Sequence, residues 1–278
     1  MTFTDKKSLE TRGIEKILIR STNWIGDAIM TTPALRAVRE NFPHARISIL
    51  VKPWTAPIFE NNPRVDEIIY YKASEVAGKF KLARKLRKRR FDAAVLFQNA
   101  FEAALIACLA KIPIRIGYAR DLRAPLLTHP VECSSSMRRL HQTHYYNGIL
   151  QGVGWKTDGS RLELHVSSVD RGAALDILAR EGISVSDLIV GINPGATFGS
   201  AKQWFPERFA EVSDRLNLEF GTKTLIFGGP ADKELGGRIK WIMNARAVDL
   251  CGKTTLREAI ALISRCDLFI TNDSGLMH

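Results

Sequence analysis

Three polar side chains that are able to act on a sugar or a phosphate stand where apolar runs give way to helical patterns. Asp27 follows the run KILIR, Lys202 follows LIVGINPG, and Asp273 follows LFITN. A carboxylate near a helix start stays ionised and can take a proton from a hydroxyl nucleophile, whereas a lysine suits phosphate oxygens. The chain therefore predicts a base in its first half and an anion site in its second. For Asp27, an ordinary helix-start acid is an equally good interpretation.

Small and hydroxyl residues accompany the polar groups of the second half. Glycines let the backbone approach a ligand closely, and free N–H groups at a helix start bind diphosphates. The glycines of IFGGPADKE are a weaker signal, because a tight turn explains them equally well. The candidate residues for binding a phosphate or a sugar hydroxyl are Gly195, Thr197, Lys202, Gly228, Gly229, Asp273, Ser274 and Gly275.

Two other patterns imitate binding motifs and are excluded. CGKTTL at 251–256 lacks the first glycine of a P-loop, because Ala247 stands there and the segment is typical of a strand. Lys253 and Thr254 are therefore interpreted as residues at the start of a helix. HQTH at 141–144 offers two histidines without a third ligand nearby, so no metal site is predicted there.

Composition limits the class of protein. The chain has 278 residues, of which 45% are hydrophobic, and a formal net charge of +11. This length suits two α/β domains, and the charge indicates an anionic partner such as nucleic acid, a phosphorylated metabolite or an acidic membrane surface. Four cysteines without a CxxC pair favour a reducing cytosol. No apolar run reaches the ~20 residues of a membrane-spanning helix.

Short apolar runs alternate with longer amphipathic segments, which is typical of parallel sheets covered by helices. The predicted strands are 16–21, 45–52, 66–71, 91–97, 114–119, 187–195, 223–229, 247–252 and 266–273. The predicted helices are 27–41, 54–60, 74–90, 101–111, one that ends near 152, 169–182, 206–219, 231–244 and 254–265. The pattern predicts two doubly wound domains, 1–155 and 169–278, joined by a linker at 156–168, with ligands bound in the cleft at the carboxyl ends of the strands.

Five motifs in order resemble the lipopolysaccharide heptosyltransferases of glycosyltransferase family 9, which have two Rossmann-like domains of the GT-B type. The resemblance implies an inverting transfer of L-glycero-D-manno-heptose from ADP-heptose to the first heptose of the lipopolysaccharide inner core. A family 9 enzyme with a different acceptor is the alternative. The motifs span about residue 16 to residue 278 and are NWIGDAIMTTPALRA, NPGATFGSAKQW, FGGPADKE, DLCGKTTLREA and TNDSGLMH.

The resemblance also implies roles for single residues. Asp27 matches the general base that acts on the acceptor hydroxyl, and Asp273 matches a contact to the donor heptose. Thr197 and Lys202 match contacts to the donor phosphates. No DxD motif is present, so neither an obligatory metal nor a cofactor is expected. The expected acceptor contacts are Ser21, Asn23, Arg120 and Arg123.

The family continues through further βα units and a C-terminal helix that this sequence does not contain. We therefore expect the second domain to be incomplete at its C-terminus. The last three residues are too few to form the phosphate-binding helix. The expectation that follows is weak or absent transfer, or a chain that only binds the ADP-sugar.

The segment KFKLARKLRKRR at 79–90 has eight basic residues, no acid and an apolar stripe. It is either a solvated helix face or a cationic surface for anionic lipid headgroups or a phosphorylated acceptor. The lipid A-core acceptor implied by the resemblance favours a cytoplasmic monomer with peripheral contact at the inner face of the inner membrane.

Two other classes are disfavoured. A nucleic-acid-binding protein would interleave aromatics with its basic residues, and 79–90 contains only Phe80. An epimerase or dehydrogenase would show GxGxxG after the first strand, where this chain has a single glycine.

Overall fold

The computed structural model describes residues 9–10, 12–72, 75–196 and 200–278. The chain divides into two compact units, one that ends at His165 and one that begins at Val166. The described residues of each unit contain one parallel sheet, so the predicted α/β class is confirmed. The boundary falls inside the segment 156–168 that the sequence marks as a linker.

The first unit is built on a six-stranded parallel sheet. Its strand order, β3-β2-β1-β4-β5-β6, reverses direction on either side of β1, and ligands bind at the carboxyl ends of strands beside such a reversal. The centre of β1 is fully buried, with Ile17 paired to Ile47 on one side and to Ala93 on the other. The strands are β1 (Lys16–Arg20), β2 (Arg46–Val51), β3 (Glu67–Tyr70), β4 (Ala93–Leu96), β5 (Ile114–Tyr118) and β6 (His129–Val131).

The first long predicted helix, 27–41, is divided at Thr31 into two helices. Pro33 has no amide hydrogen to donate to the carbonyl of Ile29, and the hydroxyl of Thr32 donates to that carbonyl at 2.7 Å instead. This break sets the short helix that carries Asp27 apart from the longer one. The helices of the unit are α1 (Ile25–Met30), α2 (Thr32–Asn41), α3 (Val76–Arg89), α4 (Phe101–Leu109), α5 (Ser135–Arg139) and α6 (Gln142–Gln151).

The structure of this unit departs from the sequence prediction at one predicted helix and at two elements that were not predicted. The predicted helix at 54–60 is wrong, since only a 3-10 turn over Ala56–Ile58 forms there. Pro57 lacks an amide donor and Asn61 is left-handed, with a φ of 60°, so a helix cannot continue through this stretch. The structure also adds β6 and α5 in a stretch where the sequence predicts neither.

Part of the predicted linker is bound to the first unit by ion pairs. Arg36 donates from Nε to Asp158 at 2.5 Å and from Nη1 to Glu163 at 2.7 Å, and Arg64 donates to the same Glu163 at 2.9 Å. Burial opposes ionisation of Glu163, but the hydrogen bonds from Arg64 and Arg36 outweigh it and lower its pKa to about 2. Residues 156–165 are therefore attached to the first unit by these ion pairs.

The second unit is built on a parallel sheet in the order β10-β7-β8-β9. The false P-loop at 251–256 lies between β9 and α10, where Lys253 donates to the carbonyl of Asp249 at 2.7 Å and Thr255 caps the helix with Glu258. No helix of the described residues is both long and apolar enough to cross a bilayer. The elements are α7 (Ser168–Arg180), β7 (Ile189–Asn193), α8 (Pro206–Phe220), β8 (Lys223–Ile226), α9 (Lys233–Ile242), β9 (Ala247–Asp249), α10 (Leu256–Ile263) and β10 (Leu268–Thr271).

Candidate functional site

Asp27 is the third residue of α1 and stands half-buried after the loop that leaves β1. The partial positive charge of the helix start favours its ionised form. The structure brings α6 close to it: burial raises the pKa of Tyr146, and the negative charge of Asp27 raises it further. The sequence indicated a tyrosine-containing helix in this region, but nothing in the pattern showed that Tyr146 would neighbour the acid.

The loop before Asp27 is fixed by a buried cation and an indole. Arg20 is 3% exposed, and its guanidinium donates to the side chain of Asn23 at 2.8 Å and to the carbonyl of Ser21 at 2.5 Å. The indole N–H of Trp54 donates to the Asn23 carbonyl at 2.8 Å. Burial lowers the pKa of Arg20 to about 10. The predicted acceptor residue Asn23 is thus held at both its side chain and its backbone.

Two of the predicted acceptor contacts, Ser21 and Arg123, are fully buried. The guanidinium of Arg123 donates to the carbonyls of Tyr118 and Gln98 and, at 3.0 Å, to the side chain of Asn99. Burial lowers the pKa of Arg123 to about 10. Both side chains are fully buried in this structure, and the hydrogen bonds of Arg123 fit a positioning role. An acceptor contact by either residue stays a prediction.

Arg120 differs from Arg123 because its side chain is only half-buried. Its guanidinium donates to the phenol oxygen of Tyr145 at 3.5 Å, and Asn99 donates to the same oxygen at 2.7 Å. The hydrogen bond to Tyr145 raises the pKa of Arg120, so the guanidinium stays charged at any physiological pH. Arg120 therefore keeps both the charge and the access that an acceptor contact requires.

Three predicted donor-binding residues meet at the carboxyl ends of β7 and β10. The ammonium of Lys202 donates to Asp273 at 2.5 Å, and the hydrogen bond from Lys202 lowers the pKa of that carboxyl. The side-chain amide of Asn193, the last residue of β7, donates to Ser274 at 2.5 Å and to Thr271 at 3.0 Å. The Lys202–Asp273 pair is well exposed to solvent.

Two more of the predicted donor-binding residues, Thr197 and Gly275, come after the same strands in the sequence. Thr197 lies outside the described residues. Gly275 opens a 3-10 turn over Gly275–Met277, directly after the extended Ser274. Asn272 secures this corner, because its amide donates to the carbonyl of Pro194 at 2.7 Å and its oxygen accepts from the backbone of Trp204 at 3.1 Å.

The glycines of the second unit surround a carboxylate that the sequence analysis did not single out. A side chain at Gly195 would begin 2.6 Å from an oxygen of Asp232, and one at Gly228 would begin 2.7 Å from the Asp232 Cβ. The amide of Gly229 donates to the same carboxylate at 2.8 Å. The observed close neighbour of these glycines is therefore Asp232, and their contact with a sugar donor stays a prediction.

Metal-ligand clusters and depressions away from the carboxyl ends of the strands add no further site among the described residues. The described residues contain no group of three or more His, Cys, Asp or Glu side chains placed to hold a metal ion. An open depression of about 410 Å³, lined by Phe59, Asn62 and Glu67 among others, lies at the amino-terminal end of β3. That end of a parallel sheet is opposite to the one where ligands bind, so we attach no site to it.

Comparison with known proteins decides the family. The family described as "Glycosyltransferase family 9 (heptosyltransferase)" matches residues 79–278, well over half of the chain. The chain belongs to glycosyltransferase family 9. It is accordingly a glycosyltransferase, with the GT-B type of fold that the motifs predict.

Individual family 9 members are similar over nearly the whole chain. Lipopolysaccharide heptosyltransferase 2 of Salmonella typhimurium is 30% identical over 276 residues, which cover 95% of this chain and 78% of the relative. The crystal structure of a family 9 glycosyl transferase from Veillonella parvula matches with a TM-score of 0.90 at 28% identity, covering 98% of this chain and 78% of that one. ADP-heptose lps heptosyltransferase II of E. coli matches with a TM-score of 0.81 at 30% identity, covering 95% and 80%.

Proposed function

We propose that this glycosyltransferase moves L-glycero-D-manno-heptose from ADP-heptose to the first heptose of the lipopolysaccharide inner core, with inversion at the anomeric carbon. One observation carries the proposal. The acid at the carboxyl end of β1 and the Lys202–Asp273 pair at the carboxyl ends of β7 and β10 occur in a chain 30% identical to a lipopolysaccharide heptosyltransferase 2. These are the groups that a base-assisted transfer from a sugar diphosphate requires.

Asp27 acts as the general base on the acceptor hydroxyl. A sugar hydroxyl is far less acidic than a carboxylic acid, so the proton moves to Asp27 only as the hydroxyl oxygen bonds to C1 of the donor heptose. The bond between C1 and the diphosphate oxygen breaks at the same time, and its electron pair leaves with ADP. Attack from the side opposite to the leaving group inverts the anomeric carbon.

Lys202 stabilises the negative charge that grows on the departing diphosphate. Its ammonium now pairs with Asp273, and a diphosphate with more charge competes for the same ammonium. Asp273, once released, accepts hydrogen bonds from hydroxyls of the heptose. The exposure of both side chains supports this exchange, because neither must be extracted from a core.

The basic helix α3 contacts the anionic membrane surface on which a lipid-linked acceptor stands. Val76 and Phe80, four residues apart on one helix face, are 67% and 55% exposed. Two basic residues, Lys79 and Arg89, pair with acids of the unit. Side chains exposed on and just after the helix supply the remaining charge: Lys81, Arg84, Lys85, Arg87, Lys88 and Arg90.

Transfer is tested by supplying the chain with ADP-heptose and a core saccharide that ends in one heptose. We expect mass spectrometry to show a saccharide extended by one heptose, formed more slowly than by a full-length family 9 enzyme, in line with the weak transfer that the sequence predicts. Asp27→Asn should reduce the rate by about 10²–10⁴-fold, the usual contribution of a general base. ADP-heptose should bind Asp27→Asn as tightly as the unaltered chain in calorimetry, since Asp27 acts on the acceptor. Equal rates for both chains would refute the assigned base, and a product with retained anomeric configuration would refute the mechanism.

Membrane contact is tested by flotation with vesicles of phosphatidylglycerol or of phosphatidylcholine. The chain should float with the first and not with the second, and added salt should release it. Lys85→Glu combined with Lys88→Glu should abolish flotation. The matched control reverses two exposed charges of the second unit, Arg215→Glu with Lys240→Glu, and should float normally. Equal flotation of both double variants would exclude α3 as the contact.

A further inference from the structure

The carboxyl end of β2 carries a lysine that lacks an ion-pair partner among the described residues. The ammonium of Lys52 lies 3.9 Å from the centre of the Tyr71 ring and 5.7 Å from that of Trp54. The nearby acid, Glu102, is engaged by Lys79 and by the hydroxyl of Tyr71. The face of an aromatic ring attracts a cation, but it does not provide an oxygen acceptor for the three N–H donors of the ammonium. Lys52 therefore keeps its capacity to donate to an anion.

The surroundings of Lys52 are poor in negative charge. Arg20 is buried against the same tyrosine, 4.9 Å from the centre of the Tyr71 ring. Burial lowers the pKa of Lys52, and the charge of Arg20 lowers it further, with Glu102 opposing both. Two cations thus share one aromatic ring in a half-buried corner, an arrangement in which an added anion gains more attraction than on an open surface.

This corner is continuous with the loop that presents Asp27. The Trp54 indole is hydrogen-bonded to the carbonyl of Asn23, while Arg20 holds the side chain of the same residue. The backbone of Ser21 donates to the carbonyl of Leu50, next to the end of β2. Trp54 is 57% exposed although its N–H is satisfied, so its apolar face is available to a sugar ring.

We propose that Lys52 and Trp54 form an acceptor subsite that binds an anionic substituent, a phosphate or a carboxylate, on the core saccharide. The inference rests on the proposed function, since it describes the acceptor of that same reaction. The sugar ring packs on Trp54, and the ammonium of Lys52 donates to the anion. The subsite fixes the saccharide beside the β1–α1 loop, and it gives the first unit a preference for acidic acceptors over neutral ones.

The chain supplies a matched control one strand further along. The ammonium of Lys72 lies 5.7 Å from the centre of the Tyr70 ring, so it forms the same kind of cation–ring pair. Lys72 is exposed, and Tyr70 is 48% exposed. A comparison of Lys52→Met with Lys72→Met therefore separates the corner at β2 from the general effect of removing a lysine from a tyrosine.

The test measures binding of a deacylated core saccharide that ends in one heptose, by titration calorimetry at low salt. Lys52→Met should weaken binding about tenfold, as expected for a lost charge-assisted hydrogen bond. Lys52→Arg, which keeps the charge, should stay within about threefold, and Lys72→Met should leave the affinity unchanged. Circular dichroism confirms that each variant is folded. Should Lys52→Met unfold, Lys52→Gln, which also removes the charge but keeps a polar end, carries the test and should weaken binding to a similar extent.

Two treated saccharides identify the anion. Removal of phosphate groups with hydrofluoric acid, or reduction of carboxyl groups to alcohols, should lower the affinity of the unaltered chain to that of Lys52→Met in one case only. Equal affinities of Lys52→Met and the unaltered chain for the intact saccharide would overturn the inference. An unaltered chain that binds none of the three saccharides would overturn it as well.

Binding of ADP-heptose, measured in the same samples, distinguishes this failure from a failure of the proposed function. Lys52→Met should bind ADP-heptose as the unaltered chain does. A chain that binds the acidic saccharide through Lys52 but does not bind ADP-heptose would refute the proposed sugar donor and leave the subsite standing.

Discussion

The polar groups at the carboxyl ends of the two sheets differ in their burial and in their bonding partners. At the carboxyl end of the first sheet the cations Arg20 and Arg123 are buried and donate to neutral oxygens. At the carboxyl end of the second sheet Lys202 and Asp273 form an exposed ion pair. Groups of the first kind hold the backbone in place, whereas groups of the second kind are free to exchange partners. Substitution of the buried Arg123 should therefore affect stability, whereas substitution of the exposed Lys202 should affect ligand binding.

The largest effect is expected at Arg123. Arg123→Met removes donors from two backbone carbonyls and from Asn99 in a fully buried place, and should lower the free energy of unfolding by about 3 kcal/mol. Arg120→Met, at the half-buried neighbour, should change it by no more than about 0.5 kcal/mol. Urea unfolding followed by circular dichroism measures both. Similar losses for the two variants would contradict the division between positioning and contact residues.

The next effect is expected at Lys202, and it concerns binding. Lys202→Met should weaken ADP-heptose affinity about 10–100-fold, because a charge-assisted hydrogen bond to the diphosphate is lost. The thermal midpoint should hardly move, since the pair with Asp273 is exposed. Lys253→Met is the control, because that ammonium is taken by the carbonyl of Asp249. Equal affinity losses for the two lysines would remove the reason for placing the diphosphate at Lys202.

Gly195 tests whether the second region also contains a rigid part. Gly195→Ala places a methyl group 2.6 Å from an oxygen of Asp232, whose carboxylate is held by the amide of Gly229. Overpacking of this kind should destabilise the unit by about 1–3 kcal/mol. Gly172→Ala, inside α7 with no atom within 4 Å of the added methyl, should stabilise it by about 0.5–1 kcal/mol. Scanning calorimetry should show the two midpoints moving in opposite directions.

The smallest effect concerns the acid stability of the first region. The pKa of Glu163 is lowered from 4.5 to about 2, so its ion pairs stabilise the unit fully above pH 4.5 and are lost as the pH falls toward 2. Glu163→Gln should lower the free energy of unfolding by about 1–2 kcal/mol at pH 7. The variant should also lose less stability than the unaltered chain between pH 4.5 and pH 2. Glu211→Gln, in an exposed pair of the second unit, should leave the acid profile unchanged. A profile that Glu163→Gln does not flatten would show that Arg36 and Arg64 find other partners.

The sequence located most elements because their signals are local. The apolar runs at 16–20 and 189–193 predict buried parallel strands, and β1 and β7 occupy these residues in the structure. The prediction of a helix at 54–60 is wrong because Pro57 interrupts the apolar pattern of that stretch, where only a 3-10 turn forms. The three-residue strand β6 could not be found, since its stability comes from pairing with β5 rather than from its own composition.

The α/β class, the family motifs and the location of Asp27, Lys202 and Asp273 after predicted strands follow from short runs of consecutive residues, because strand ends and glycine turns have local patterns. The pairing of Lys202 with Asp273, which is 71 positions away in the chain, comes from tertiary packing. The same packing brings Tyr146 within the electrostatic influence of Asp27, and it buries Arg123 while leaving Arg120 partly accessible. Burial and charge pairing depend on which distant elements pack together, and a local pattern of residues does not show that pairing.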